Sequence, residues 1–519
     1  MALTLLVKTI IADKKWKSHF IAVAGLLFLI VALFWRVFFC GETLVDLATH
    51  QNQLPWGATT STFDGYSSYD RRDLTNTYVT RDYFVVNSYR NKELPLWNPY
   101  IFSGHPMYAD GVTKLFNPFN LIYYWFDIPL GYSFIRLTEL MLAVIFLYIF
   151  LVHLDLGVCG AFVGSMVFLL SDHTMQHLTW LGWLGGVMWL PLMLLGADRA
   201  IKSGNTLPAI AAGVALALQF YCGFMPAAIY YLSALVGYYL VIPWLIRKTD
   251  LAAYKSVIKS LLISLIVGMG LSAPIWLPVF ELLGYSNRKI VPTELSYIWL
   301  PPWQLLTLLL PHVFGEAFEP KYVKMFVEMG VSQDRSIYLG LLALPLIGLA
   351  LWKPIDKRVY YFAGLIALAI IVVTCAPIYV HITKYIPVLK TIRAITRISV
   401  LYTFGAAILA AYGTSQLLSL ERAFLLNFFA RVLYLTKRWF TLLIITTLLF
   451  SIIYRYLPQD VEGGGRVRRW ALKIVICLAD QFNWSWSNFD LIVPLVIVLI
   501  LVLLCWLFLQ NRLLPKTML

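Results

Sequence analysis

The chain has 519 residues, of which 60% are hydrophobic and only 13% are charged. Soluble domains carry about 25% charged residues, so this composition excludes an ordinary soluble globular protein and indicates a chain that folds in lipid. The net charge of +14 would suit a nucleic-acid-binding protein, but the basic residues gather in short loops between apolar stretches, which is a signal of membrane topology instead.

The apolar residues form stretches of about 20, the length that a transmembrane helix needs. The sequence therefore predicts an all-α polytopic membrane protein with about twelve transmembrane helices. The predicted spans are 20–39, 134–153, 157–171, 178–197, 207–222, 226–246, 259–281, 336–352, 359–378, 396–418, 439–457 and 490–510.

The Lys and Arg residues of the short loops predict the orientation of these helices. Four lysines between residues 8 and 17 precede the first span, and no signal-peptidase site follows it, so we expect a retained first helix and a cytoplasmic N-terminus. Alternating crossings then place most short basic loops and the C-terminus in the cytoplasm. The long loops 40–133 and 282–335 fall on the extracytoplasmic side.

These predictions divide the chain into a cytoplasmic N-terminus (1–19), a transmembrane module (20–418) and a C-terminal region (419–519) with an amphipathic segment and two further spans. Two apolar pieces of the long external loops, 115–126 and 301–310, are too short to cross a bilayer and predict short interfacial helices. The six cysteines show no CxxC or metal-finger spacing, so buried thiols are the simplest interpretation.

Loop 40–133 concentrates charge between two apolar spans, and we expect the function to lie there. Asp70 and Asp73 are three residues apart and share a face if the segment is helical. Such a carboxylate can act as a general base for an acceptor hydroxyl, or hold a divalent cation such as Mg or Mn. Arg71 and Arg72 would keep it ionised. An exposed charged turn explains the same pattern without a site.

Residues 93–106 of this loop contain prolines and a glycine, which exclude a long helix and predict a rigid loop. That loop would hold Trp97, Tyr100 and His105 in fixed positions, with Asp110 a few residues downstream. Rigid aromatic surfaces suit either sugar faces or lipid chains, and the sequence alone leaves both interpretations open.

Charged and imidazole side chains also mark the predicted outer ends of later spans. His173 and His177 share a helical face, which suits one metal ion, a general acid–base role or a bound phosphate, but also plain polar groups at a helix end. Arg393 and Arg397 have the same spacing, and two guanidiniums on one face clamp a phosphate or anchor a helix at the interface. Further candidates at this edge are Glu281, Arg288 and His312.

Several segments, taken in order, resemble the YfhO-type bacterial membrane proteins. The first-loop run ELPLWNPYIFSGHPMYAD at 93–110 is the most specific, and the resemblance covers about residues 20–415. One departure is the run GFMP at 223–226, where the family often has GHPQ. Shorter matching segments lie at 189–192, 271–278, 286–288, 309–315, 338–345 and 386–397.

The YfhO-type family is similar to the GT-C class of membrane glycosyltransferases, which implies a GT-C-like fold and a polyprenyl-phosphate-linked sugar donor. The resemblance maps the catalytic carboxylate to Asp73 and lipid-phosphate binding to Arg393 and Arg397, with Arg288 as a third cation. The sugar pocket would then be lined by Trp97, Tyr100, His105, Asp110, His177, Glu281 and His312.

We therefore expect a transferase of the bacterial cytoplasmic membrane that moves a sugar to a glycan, lipid or protein acceptor on the outer face. A transporter or flippase of a polar lipid or anionic glycan precursor is the alternative, and a pseudoenzyme or assembly scaffold is a third. The sequence has no GxxxxGKS/T or GxGxxG nucleotide motif, and nucleic acid is not an expected partner.

Overall fold

The computed structural model describes residues 16–45, 74–111, 113–180, 182–223, 225–246, 251–285, 300, 302–309, 311, 336–352, 354–375 and 395–420. Within these residues the chain is mostly helical and forms no β-strand. The helices are α1 (Trp16–Leu33), α2 (Trp35–Cys40), α3 (Thr80–Arg90), α4 (Ile128–His153), α5 (Gly157–Leu170), α6 (Asp172–Gln176), α7 (Trp183–Val187), α8 (Leu190–Ser203), α9 (Thr206–Phe220), α10 (Met225–Ile246), α11 (Leu251–Gly284), α12 (Ala343–Trp352), α13 (Arg358–Thr374) and α14 (Ser399–Ser419).

Six helical segments in the described part of the chain are long and apolar enough to cross a membrane, as an all-α membrane protein requires. Four of them are the single helices α1, α4, α10 and α11. The fifth consists of α7 and α8 together, and the sixth of α14 and the turn before it. Each predicted span between 20 and 418 overlaps at least one helix. The predicted spans 439–457 and 490–510 lie outside the described residues, so twelve crossings and the GT-C-like architecture stay predictions.

Two helices begin five or more residues after the start of their predicted spans, and the backbone gives the reason. The fourth predicted span is 178–197, but its helix begins at Trp183, after Gly182 with a left-handed φ of 66°. The eighth is 336–352, but α12 begins at Ala343, after a non-helical stretch in which Gly340 has a φ of 92°. The ten residues of α12 measure about 15 Å, half of a hydrocarbon core.

Each of the two predicted interfacial pieces contains a short 3₁₀ helix. Asn117 caps the first turn, Pro118–Tyr124, by accepting a hydrogen bond from the Phe119 N–H at 3.0 Å. The second is Pro302–Leu308. Prolines at the first position of each turn favour this start, because proline lacks the N–H that a helix leaves unpaired there.

Helix α14 is the centre of the bundle. In the most apolar stretch of α14 and the turn before it, 94% of the residues are buried, compared with 22% for the corresponding stretch of α1 and 28% for that of α11. It packs against α5, α12 and α13. Among the six long apolar segments of the described residues, α1 and α11 therefore leave the largest share of their apolar surface uncovered.

Small residues allow α5 and α14 to approach closely. A Cβ at Gly164 of α5 would lie 2.8 Å from the Ala407 carbonyl oxygen, and one at Gly160 would lie 3.0 Å from that of Ala411. Glycines four residues apart on a helix make this close backbone approach possible, as at many helix interfaces in membranes.

A cluster of charged residues ties four helices together at the end of the bundle where α4 and α8 terminate and α13 begins. Asp198 of α8 is its centre, with a side chain only 1% exposed. Its oxygens lie 2.8 Å from His153 Nε2, 2.9 Å from Lys202 Nζ and 3.0 Å from Arg358 Nη2, and Tyr238 donates a hydrogen bond to it at 3.0 Å. The buried carboxylate is thereby compensated by several cationic and hydrogen-bond partners.

Candidate functional site

Residues 74–127 fold back onto the other end of the bundle, which we call the loop end. Leu74 is buried in a small apolar cluster with Tyr123 and Tyr132, among others. On the far side, the Tyr108 hydroxyl donates a 2.6 Å hydrogen bond to the Pro274 carbonyl of α11. The loop therefore contacts both the start of α4 and the last third of α11.

A buried ion pair holds this loop together. Lys114 Nζ lies 3.2 Å from Asp82 Oδ2, and the Tyr123 hydroxyl donates a 2.5 Å hydrogen bond to the same oxygen. The side chains of Lys114 and Asp82 are only 1% and 8% exposed. Burial lowers the pKa of Lys114 despite the opposing pull of Asp82, and burial followed by the Asp82 charge raises the pKa of Tyr123 well above its ordinary value.

A second buried ion pair lies inside α4. Arg136 and Glu139 are fully buried and meet through two contacts, Nη2 to Oε1 at 3.0 Å and Nη1 to Oε2 at 2.9 Å. Between the two ion pairs stands the Tyr132 ring, whose centroid lies 5.3 Å from Lys114 Nζ and 5.3 Å from the Arg136 guanidinium carbon. Such distances are typical of cation–π contacts, so Tyr132 connects the two pairs.

An imidazole pair occupies the turn between α5 and α7. Ser171 caps the short helix α6 by accepting a hydrogen bond from the Thr174 N–H. His173 and His177, both buried, follow on one face with ring centroids 4.2 Å apart. The indole of Trp183 stacks on His177 at 4.8 Å. The i, i+4 spacing that singles out these histidines in the sequence therefore brings their rings together.

The hydrogen bonds of the two rings assign their tautomers. His177 Nδ1 lies 2.8 Å from the His173 carbonyl, which only accepts, so this nitrogen carries the proton. His173 Nδ1 lies 3.0 Å from Ser399 Oγ, and that hydroxyl already donates to the Thr396 carbonyl at 2.6 Å. His173 must then donate as well. In the neutral state, both Nε2 atoms therefore carry lone pairs and can accept a proton.

A guanidinium completes this group of residues. Arg397 lies directly before α14, half-buried, and its guanidinium carbon is 4.8 Å from the ring centroid of Trp180. The same indole lies 5.2 Å from the His177 ring. Trp180 thus joins Arg397 to the imidazole pair. We call Arg397, Trp180, His173 and His177 the Arg–His cluster.

The predicted loop residues form a second group. The backbones of Asn98 and His105 pair through two 2.8 Å hydrogen bonds, which close the loop into a hairpin. Asp110 Oδ2 lies 2.7 Å from Arg81 Nη2 and 3.6 Å from His105 Nε2. The two aromatic candidates point outward, with Trp97 57% and Tyr100 84% exposed.

The structure thus brings His177 together with Arg397, and His105 together with Asp110. Glu281 lies exposed in the last turn of α11. The remaining candidates, Asp70, Asp73, Arg288, His312 and Arg393, lie outside the described residues. Among the residues that are described, no three His, Cys, Asp or Glu side chains group closely enough to hold a metal ion.

Four buried charged residues at the loop end escape the sequence analysis. Arg136 and Glu139 carry a usable signal, because a charged pair three residues apart inside an apolar span is costly unless it has a role. Asp82 and Lys114 carry none, because they are separated by more than 30 residues and only the fold pairs them.

Comparisons with known proteins add no relative. No protein-family model matches the sequence, and neither the curated proteins nor the solved structures yield a significant match. The resemblance to YfhO-type proteins and to the GT-C class therefore stays a prediction.

Proposed function

We propose that this protein is a membrane glycosyltransferase that moves a sugar from a polyprenyl-phosphate-linked donor to an acceptor at the loop end of the bundle. The observation that carries the proposal is the Arg–His cluster. Arg397, half-buried on Trp180 at the start of the most buried helix, is a cation within reach of a headgroup at the helix ends. Guanidinium groups recognise phosphate through paired, charge-assisted hydrogen bonds.

In the proposed reaction, Arg397 stabilises the lipid phosphate as it leaves. The bond between the anomeric carbon and the phosphate oxygen breaks, and a bond from that carbon to the acceptor oxygen forms. Negative charge builds up on the departing phosphate, and a fixed cation in a partly desolvated site stabilises that charge more strongly than water does. The resemblance implies the same task for Arg393, and Arg288 is a third proposed cation.

The acceptor hydroxyl must lose its proton during this step. Asp73 is the proposed base, and Leu74, the next residue in the chain, packs against Tyr123 and Tyr132 at the loop end. The imidazole pair lies beside Trp180 and Arg397, which is the place that we assign to the phosphate. His177 therefore suits a position along the sugar, as the sequence predicts.

The proposed setting is the bacterial cytoplasmic membrane, with both termini in the cytoplasm and the loop end outside. The charge distribution supports this orientation. Lys202 and Arg358 lie at the end opposite the loop, where the predicted cytoplasmic loops begin.

Binding of the donor lipid gives the first test. The purified protein in nanodiscs is mixed with a C55 polyprenyl phosphate or with the uncharged polyprenol of the same length, and bound lipid is measured by native mass spectrometry. We expect selective retention of the phosphate, and a loss of about 10- to 100-fold in affinity in Arg397→Ala, the range for one charged hydrogen-bonding group. Arg358→Lys, at the opposite end, is the control and should bind normally. Equal retention of phosphate and alcohol would refute the proposal.

Transfer itself is measured with radiolabelled polyprenyl-phosphate sugars in proteoliposomes. A transferase changes the covalent form of the label, and Asp73→Asn should abolish that change while leaving lipid binding intact. A transporter would instead move the label across the membrane unaltered. That outcome would favour the alternative interpretation of the sequence.

A further inference from the structure

A continuous series of polar contacts runs from the first loop to the backbone beneath the Arg–His cluster. It starts at the Asp82–Lys114 pair and passes through the Tyr132 ring to Arg136. It ends at two carbonyl groups, because Tyr132 donates to Thr179 at 2.7 Å and Arg136 to Trp180 at 3.4 Å. Thr179 and Trp180 belong to the turn before α7, and the Trp180 indole lies against the Arg397 guanidinium.

We infer that Arg136 is a positioning residue for Arg397, acting through Trp180, with Tyr132 and Glu139 as its supports. This inference rests on the proposed function, since it assigns to a buried pair the task of fixing the phosphate-binding guanidinium. Arg136 itself is fully buried and is placed to hold the backbone of Trp180, not a substrate.

The geometry of Arg136 explains why an arginine stands there. Glu139 Oε1 accepts a 3.0 Å hydrogen bond from Nη2, and Glu139 Oε2 lies 2.9 Å from Nη1 as an ion-pair contact. These two short contacts restrain the orientation of the guanidinium. That orientation directs Nη1 at the Trp180 carbonyl. A lysine would keep the charge beside Glu139, but its single nitrogen could not hold the carboxylate and the carbonyl in the same arrangement.

Stability alone does not account for this arrangement. Replacing a buried ion pair by apolar residues of similar volume is often neutral or stabilising, so two adjacent buried pairs are a poor way to strengthen a helix bundle. Charged groups within membrane helices are rare and usually functional. Here each of the two pairs contacts the Tyr132 ring, and their contacts end at the Thr179–Trp180 backbone. Their common effect is to fix that turn relative to the first loop.

The decisive experiment is a double-mutant cycle on the affinity for C55 polyprenyl phosphate. Arg136→Lys keeps the charge, and Tyr132→Phe removes only the hydroxyl. When Arg397 is present, each of the two substitutions should weaken the affinity about three- to tenfold. In the Arg397→Ala background, each should change the affinity less than about twofold, because the effects of coupled residues are not additive. Tyr238→Phe, which removes a buried hydroxyl at the opposite end, is the control and should leave affinity unchanged. Equal losses in both backgrounds would overturn the inference.

A second measurement does not depend on the function. Amide hydrogen exchange of peptides covering residues 171–180 should become faster in Arg136→Lys and in Tyr132→Phe, while exchange in α8 and the melting temperature stay close to wild type. Unchanged exchange at 171–180 would refute the positioning role whatever the protein binds. If wild type shows no preference for polyprenyl phosphate yet exchange increases as stated, the proposed function fails and the mechanical link stands.

Discussion

Replacing Lys114 by Met tests whether the buried charges of the first loop depend on one another. The substitution keeps most of the side-chain volume but leaves the Asp82 carboxylate, 8% exposed, with Tyr123 as its hydrogen-bond partner and without its cation. Removing one member of a buried ion pair costs about 3–5 kcal/mol, because the remaining charge is neither hydrated nor paired. We expect Lys114→Met to lose stability in that range.

The assay is equilibrium unfolding in mixed micelles, with the free energy of unfolding compared between variants. Lys202→Met is the matched control. Its distance to Asp198, 2.9 Å, is shorter than the 3.2 Å of the Lys114–Asp82 pair, but Lys202 is 43% exposed and Asp198 keeps other cationic partners. Exposed pairs contribute about 0–1 kcal/mol, so the control should be close to wild type. The double variant Asp82→Asn/Lys114→Met should recover most of the loss. A loss below about 1 kcal/mol, or no recovery, would refute the argument.

Two further predictions concern packing and pH. Gly164→Ala should lower the unfolding free energy by about 1–3 kcal/mol, because the new methyl group overpacks against the Ala407 carbonyl. Gly364→Ala is the control: no atom lies within 4 Å of the position of its Cβ, so this variant should be neutral or stabilising. Equal effects of the two substitutions would contradict the close approach of α5 and α14. The raised pKa of Tyr123 keeps its proton in the folded state, so its contribution is complete below pH 10 and is lost as the pH rises above 10. Above pH 10, the unfolding free energy of Tyr123→Phe should fall less steeply with pH than that of wild type, and the two slopes should differ by at most about 1.4 kcal/mol per pH unit. Identical slopes would exclude this role of Tyr123.

The sequence predicts the helices of this chain well because their signal is local. An apolar run of about 20 residues requires a helix in lipid, where every backbone group must pair within its own segment. Two helices begin later than predicted, and in both cases a glycine overrides that signal. The left-handed backbone at Gly182 and Gly340 ends the helical path, although the residues around both glycines are as apolar as those of a span.

The candidate site is predicted less well because its geometry is long-range. The spacing of His173 and His177 within one turn is readable, and their rings do meet. The partner of that pair, Arg397, comes from more than 200 residues away, and only the packing of α6 against α14 brings it there. The same limit hides the Asp82–Lys114 pair, since no periodicity connects a helix in a loop with a residue 32 positions later.

The distribution of buried charge along α4 bears on the choice between a transferase and a transporter. Glu139 and His153 mark two charged layers about 21 Å apart along the helix axis. The buried residues of α4 between them are hydrophobic apart from the Tyr148 hydroxyl. A transporter for a polar cargo needs polar groups or broken helices near the middle of the membrane. On α4, the buried charged groups lie instead at the loop end and at the opposite end, an arrangement that suits chemistry at one surface better than passage between the two.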